Sequence, residues 1–267
     1  MDLLSIAILL VGGMAAGFLA GFFGVGGGIL LVPLLLYYFQ AMGVSSLVAT
    51  HLTLGTSLFV VAFTSASSAY EYTRNGHVVW KASLILGLVS IVGAWAGTSL
   101  AAGLEGRTLQ KIFGVVVAVT AVRLLSERRK PKGNPEPNTR PIGLIITGLI
   151  VGVVSSLAGV GGGVFSIPVM YSLLHFPLKR ALGTSSAAIV ITGVAAAAGY
   201  MVRGWGNQLL PAGTLGYVGY LYAIPLVVGS LPLARVGASL AHRTHPARLQ
   251  KIFAGFLIIV SAKMLFF

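Results

Sequence analysis

Apolar residues run along this chain in blocks too long and too unbroken for the one-sided stripe of a surface helix. The blocks cover about 4–40, 45–70, 79–102, 108–126, 142–174, 181–201, 213–240 and 248–266. An α-helix needs roughly 17 to 25 apolar residues to cross a hydrocarbon core of about 30 Å, so the pattern predicts an all-α polytopic membrane protein. Two of the blocks are interrupted from within. The stretch "GVGGGILLVP" at 24–33 sets Gly24, Gly26, Gly27 and Gly28 around Val25, and "GVGGGVFSIP" at 159–168 sets Gly159, Gly161, Gly162 and Gly163 around Val160. Such glycine density opposes a continuous helix, and each cluster is followed by a proline, Pro33 or Pro168.

The repetition extends beyond the glycines. "VATHLTLGTS" aligns with "LGTSSAAIVI", "GTSLA" at 97 with "GASLA" at 237, and "LQKIF" at 109 with "LQKIF" at 249. This reading sets Thr50 opposite Thr184 and His51 opposite Ser185. The chain is an internal duplication, with a first transmembrane repeat at 1–126, a polar cytoplasmic linker at 127–140 rich in proline and charge, and a second repeat at 141–267. Each half reads as a glycine-broken hairpin plus three further spans, and the hairpin is either re-entrant or one kinked crossing.

Composition strengthens the membrane reading: 56% of residues are hydrophobic, 9% are charged and the mean hydropathy is +0.93. The first apolar run lacks the cationic leader of a secretory signal peptide and is expected to stay in the protein. The net charge of +13 sits mainly in loops flanking the apolar blocks, which explains it through topology rather than through nucleic acid. Because short cytoplasmic loops collect Lys and Arg, charge discriminates between the two hairpin models. If the halves are inverted, Arg74, Lys81, the linker cations, Lys179, Arg180, Arg243 and Arg248 share the cytoplasmic side, and Arg107 and Arg203 lie outside. Parallel halves distribute these charges more evenly, so inversion is expected, with both termini outside.

The polarity of the breaks suggests a ligand. The glycines precede the short apolar segments and so occupy helix N-terminal ends, where unpaired N–H groups and the positive end of the helix dipole favour an anion. Residues 24–28 and 159–163 are therefore candidate substrate-binding elements, Val25 and Val160 included. Thr50, His51, Thr184 and Ser185 are candidates beside them, since hydroxyls donate to an oxyanion without a fixed charge that would trap it. His51 is also an ionisable group in an apolar segment, suited to pairing with an anion or carrying a proton. The alternative for small residues is close packing: Gly13, Gly17 and Gly21 have the small-xxx-small spacing of helix contacts. Arg235, inside an apolar block, is expected to snorkel.

Several classes are disfavoured. Asp2, Glu71, Glu105, Glu127 and Glu136 are the whole acidic inventory, and all are expected at termini, loops or the linker, so a carboxylate-based cation site lacks its ligands. No cysteine is present for thiol chemistry. Neither glycine cluster carries the Lys-Ser/Thr of a P-loop, so neither a cofactor nor nucleotide-driven transport is expected, and no metal-binding cluster or catalytic dyad suggests an enzyme. A cation-selective transporter and a non-transporting membrane scaffold remain as alternatives.

With its duplicated "GVGGG" breaks, "ATHLT" and "LGTSS", the chain resembles the sulfite exporter TauE/SafE family of bacterial membrane proteins over nearly its whole length. The resemblance implies a permease or exporter in the bacterial inner membrane that moves sulfite, sulfonates such as sulfoacetate, or other sulfur-containing anions. Its partners would be a small anionic substrate and membrane lipid. A branch that takes up thiosulfate is similar in architecture but places cysteines along its path; their absence here favours sulfite or an organosulfonate.

Overall fold

The computed structural model describes residues 2–103 and 139–266, together with Val115, Ala118, Val119, Val122 and Pro137. Most of the expected span at 108–126 and of the linker at 127–140 lies outside the described residues. Among the described residues the named elements are nine helices: α1 (Leu3–Phe23), α2 (Gly28–Ala41), α3 (Ser46–Arg74), α4 (Trp80–Gly103), α5 (Pro141–Ala158), α6 (Gly163–Ser172), α7 (Leu178–Arg203), α8 (Tyr220–Arg243) and α9 (Pro246–Phe266). Six of them, α1, α3, α4, α5, α7 and α8, are long and apolar enough to cross a bilayer. The protein is an all-helical, multi-pass membrane protein.

Both glycine-broken segments are hairpins that turn back. A methyl group on Gly27 would meet Ala16 and Ala20, and one on Gly12 would meet Leu34, so α2 runs antiparallel to α1. Gly162 likewise lies against Val151 and Ser155, and Gly143 against Leu174, which makes α5 and α6 antiparallel. At 14 and 10 residues, and about 1.5 Å per residue, the returning helices are too short to cross alone. Pro33 and Pro168 lie inside these helices rather than at their first turns.

Small residues weld each hairpin to the other half. In α1, Gly13, Gly17 and Gly21 face the backbone of Leu226, Ser230 and Ala234 in α8, while Gly229 and Gly237 of α8 face Leu10 and Phe18. The reciprocal pair is α4 with α5, where Gly93 and Gly97 meet residues 149–156 and Gly152 meets Ser90. Both pairs are parallel. Lipid tails are as apolar as leucine, so membrane helices gain from close backbone approach rather than from apolar burial, and the spacing serves packing as expected.

The long helices α3 and α7 form the enclosed centre and cross antiparallel: Gly55 lies near Tyr200, Gly193 against Ala62, and Gly183 near Tyr72. One boundary differs from expectation. Residues 204–219 are not helical; they form a folded loop with a bridge between Leu215 and Val218, because Pro211 and the left-handed Gly213 and Gly216 stop a helix there. Glu71 lies in the last turn of α3 rather than in a loop, bonded by Asn75 Nδ2 at 3.1 Å.

Replacing Gly21 by valine sets a branched side chain against the Ala234 carbonyl. Overpacking of this kind costs about 1–3 kcal/mol, so Gly21→Val is expected to lower the melting temperature of the detergent-solubilised protein by several degrees, while Gly255→Val, in α9 with open space around it and no left-handed backbone, shifts it less.

Candidate functional site

The glycine clusters meet. All ten residues of 24–28 and 159–163 are buried. A Cβ on Gly28 would lie 2.5 Å from the Gly159 carbonyl oxygen, and one on Gly163 would lie 2.6 Å from Val25 Cα. The two turns also share a conformation: Gly24, Gly26 and Gly27 have φ of 65, 87 and 84°, and Gly159, Gly161 and Gly162 have 68, 85 and 79°. These left-handed values strain any residue with a side chain. The first glycine of each turn ends one helix, its N–H bonding the carbonyl of Ala20 or Ser155, the third is the N-cap of the next, and the fourth begins it. Backbone amides at the starts of α2 and α6 thus gather at one buried point, with the positive dipole ends of both helices directed there. Val61 and Ile189, near the midpoints of α3 and α7, cap the pair, and each approaches both Gly26 and Gly161.

Hydroxyls from α3 and α7 hold the turns. Ser185 Oγ donates to the Gly24 carbonyl at 3.2 Å, and Ser57 Oγ donates to the Gly159 carbonyl at 2.7 Å. One position earlier, Thr184 Oγ1 accepts from the Val79 amide at 3.0 Å and Thr56 Oγ1 from the Gly219 amide at 2.9 Å. The same reciprocity joins Tyr72, which donates to the Gly21 carbonyl, with Tyr200, which donates to that of Ser156. Loops 75–79 and 204–219 therefore act as equivalent straps, each tying an LGTS segment in place.

These bonds correct the register read from sequence. The structural counterpart of Thr184 is Thr56, and that of Ser185 is Ser57, because "LGTS" at 54–57 pairs with "LGTS" at 182–185. Thr50 is half-buried one turn before that motif, and the His51 ring lies 5.2 Å from that of Tyr217. Of the expected site residues, the two glycine clusters and Ser185 come together directly, Thr184 is turned to the Val79 amide, and Thr50 and His51 lie further along α3 towards the 204–219 strap. Thr56 and Ser57 are legible in the sequence as the verbatim repeat of Thr184 and Ser185. Arg235 packs on the Tyr70 ring, 5.2 Å from its centroid.

The straps differ chemically. His77 Nε2 shares a hydrogen bond of 2.7 Å with His242 Nδ1, and Lys179 Nζ donates to the His242 carbonyl. Burial first, and then the charges of His242, Lys179 and Arg180, hold the His77 imidazole below its ordinary value of 6.5. Loop 75–79 and the adjoining ends of α7 and α8 therefore occupy one end of the molecule. At the other strap Tyr217 takes the place of His77 and is bonded by Asn207.

A model of the family described as sulfite exporter TauE/SafE matches residues 9–264. A probable membrane transporter protein of Haemophilus influenzae is 32% identical over 259 residues, covering 97% of both chains. Another, of Methanocaldococcus jannaschii, is 27% identical over 265 residues, covering 98% of this chain and 96% of its own. The probable membrane transporter protein YunE of Bacillus subtilis is 26% identical over 281 residues, covering 98% of both. No solved structure matches this chain.

Two outcomes are expected. Ser57→Ala leaves a buried carbonyl short of its donor, at a cost of about 1–3 kcal/mol, and a thermal melt with Ser185→Ala alongside checks whether both turns respond. Because the His77 value is lowered by folding, the unfolded chain binds the proton more readily. Stability is then full above about 6.5 and declines as pH falls below it. Melting temperatures between pH 7.5 and 5 should decline less in His77→Gln than in the parent.

Proposed function

The chain belongs to the sulfite exporter TauE/SafE family of membrane transporters, and on that premise we propose that it is a secondary permease for a sulfur-containing oxyanion such as sulfite or an organosulfonate. The anion binds near the bilayer midplane between the amides of 24–28 and 159–163. Thr184, Ser185 and their counterparts Thr56 and Ser57 support the turns, and Thr50 and His51 line the approach along α3. The observation that carries this reading is the buried meeting of two glycine turns at helix N-termini. Such ends attract anions through unpaired N–H groups and dipoles without a formal charge, so the substrate can also leave.

Two features argue against a cation. The turn carbonyls of Gly24 and Gly159, which would serve as ligands for one, already accept serine donors. The only acidic side chain described within a candidate span is Glu71, in the last turn of α3.

The halves, 1–126 and 141–267 joined by a linker at 127–140, are inserted in opposite senses. Antiparallel α3 and α7 support this, as does the grouping of His77, Lys179 and His242 at one end. That end faces the cytoplasm, where short loops collect cations, and the membrane is the bacterial inner membrane. Passage requires Val61 and Ile189 to yield, and the driving force is an ion gradient or the anion's own.

In proteoliposomes, labelled sulfite should enter saturably and be competed by sulfoacetate more strongly than by thiosulfate or chloride. Gly26→Ala with Gly161→Ala, which crowds Val61 from both turns, should reduce flux at least tenfold. Folded parent protein that moves no sulfur oxyanion overturns the substrate assignment.

A further inference from the structure

A hydroxyl sealed from water normally finds another partner, because burial removes the bonds that water supplied. Four hydroxyls among the described residues lack one: Thr53, Ser65, Ser155 and Ser186, none more than 1% exposed. They are not scattered. Thr53 and Ser186 border the two LGTS segments. Ser65 Oγ lies 3.1 Å from the position a Cβ would take on Gly26, and Ser155 Cβ lies 3.2 Å from the equivalent position on Gly162. Ser155 also lines a small cleft with Val160, Gly162 and Phe165.

Their neighbours show that the lack is specific. A helical serine or threonine can bond the carbonyl one turn earlier. Thr64, Ser68, Ser156 and Thr192 all do so, but Ser65 and Ser155 do not. Packing does not call for these oxygens either. Ala20 takes in the first hairpin the place of Ser155 in the second, 3.2 Å from the Cβ position of Gly27. Gly193, on α7 against Ala62, corresponds to Ser65. The surrounding structure accommodates those positions without a hydroxyl.

We infer that Ser65 and Ser155 are specificity-determining donors for the transported anion, each adding one O–H to the amides of its glycine turn. The inference rests on the oxyanion permease reading above and narrows it. Several donors converging from different directions match a head group with three oxygens on sulfur, whereas a halide presents one spherical acceptor. A neutral hydroxyl adds that discrimination without a charge that would hold the anion in place. The donor set is also unequal across the two turns, with Ser65 supplied by α3 to the first and Ser155 by α5 to the second.

The test compares parent, Ser65→Ala, Ser155→Ala and Ser65→Thr in two measurements: labelled sulfite flux into proteoliposomes with chloride as competitor, and the rise in melting temperature that sulfite produces in detergent. Each alanine variant is expected to need roughly tenfold more sulfite for half-saturation, the loss of one hydrogen bond to a charged ligand. It should also be more readily inhibited by chloride, with an unliganded melting temperature equal to or above the parent's. Ser65→Thr, which keeps the hydroxyl, should retain more of the parent's sulfite affinity. Alanine variants with the parent's half-saturation and chloride sensitivity would overturn the role of the hydroxyls while leaving the permease reading intact. A parent that neither transports sulfite nor is stabilised by it would overturn both.

Discussion

Everything in this molecule depends on the close approach of two backbones. Gly28 against the Gly159 carbonyl and Gly163 against Val25 leave no room for side chains at the point where the two halves meet. Three consequences follow. The hairpins must turn inside the protein, their returning helices must begin there, and the dipoles of those helices converge. A turn in irregular conformation is tolerated at membrane depth only where protein surrounds it. Here α3 and α7 provide that enclosure and satisfy the exposed carbonyls through Ser57 and Ser185.

The remaining packing serves this centre. The long helix of each hairpin packs on the partner half: α1 lies along α8, and α5 lies along α4, through glycines facing backbone. Tyr72 and Tyr200, buried with their hydroxyls on the Gly21 and Ser156 carbonyls, fix the depth of each hairpin relative to α3 and α7.

Much of this was legible in the sequence because membrane helices announce themselves by length and glycine turns by composition. The repeated "GVGGG" located the breaks and the polarity of the helices after them, and the spacing of Gly13, Gly17 and Gly21 identified a packing face. Register was harder. Alignment extended from the glycine clusters set Thr50 opposite Thr184, but the halves differ in length between the break and the LGTS segment, and only three-dimensional bonding reveals which hydroxyl reaches which turn. The 204–219 strap was hidden for a related reason: its apolar residues resemble the start of a span, while the glycines that fold it were dispersed. Ser65 and Ser155 left no sequence signal, since a serine in an apolar helix ordinarily bonds its own backbone.

With the halves inverted as proposed, the two straps give this near-symmetric protein a sense of direction. A molecule with a perfect two-fold axis in the membrane plane would offer identical chemistry to both compartments and respond alike to either. Here one strap ends in a pair of imidazoles beside Lys179, and the other ends in the phenol of Tyr217. Imidazole is the side chain whose charge ordinarily changes near neutrality, and phenol is not. The loop beside the imidazole pair also bonds Thr184 through Val79, next to the serine that holds a glycine turn, whereas at the other strap the Tyr217 phenol lies against the His51 ring.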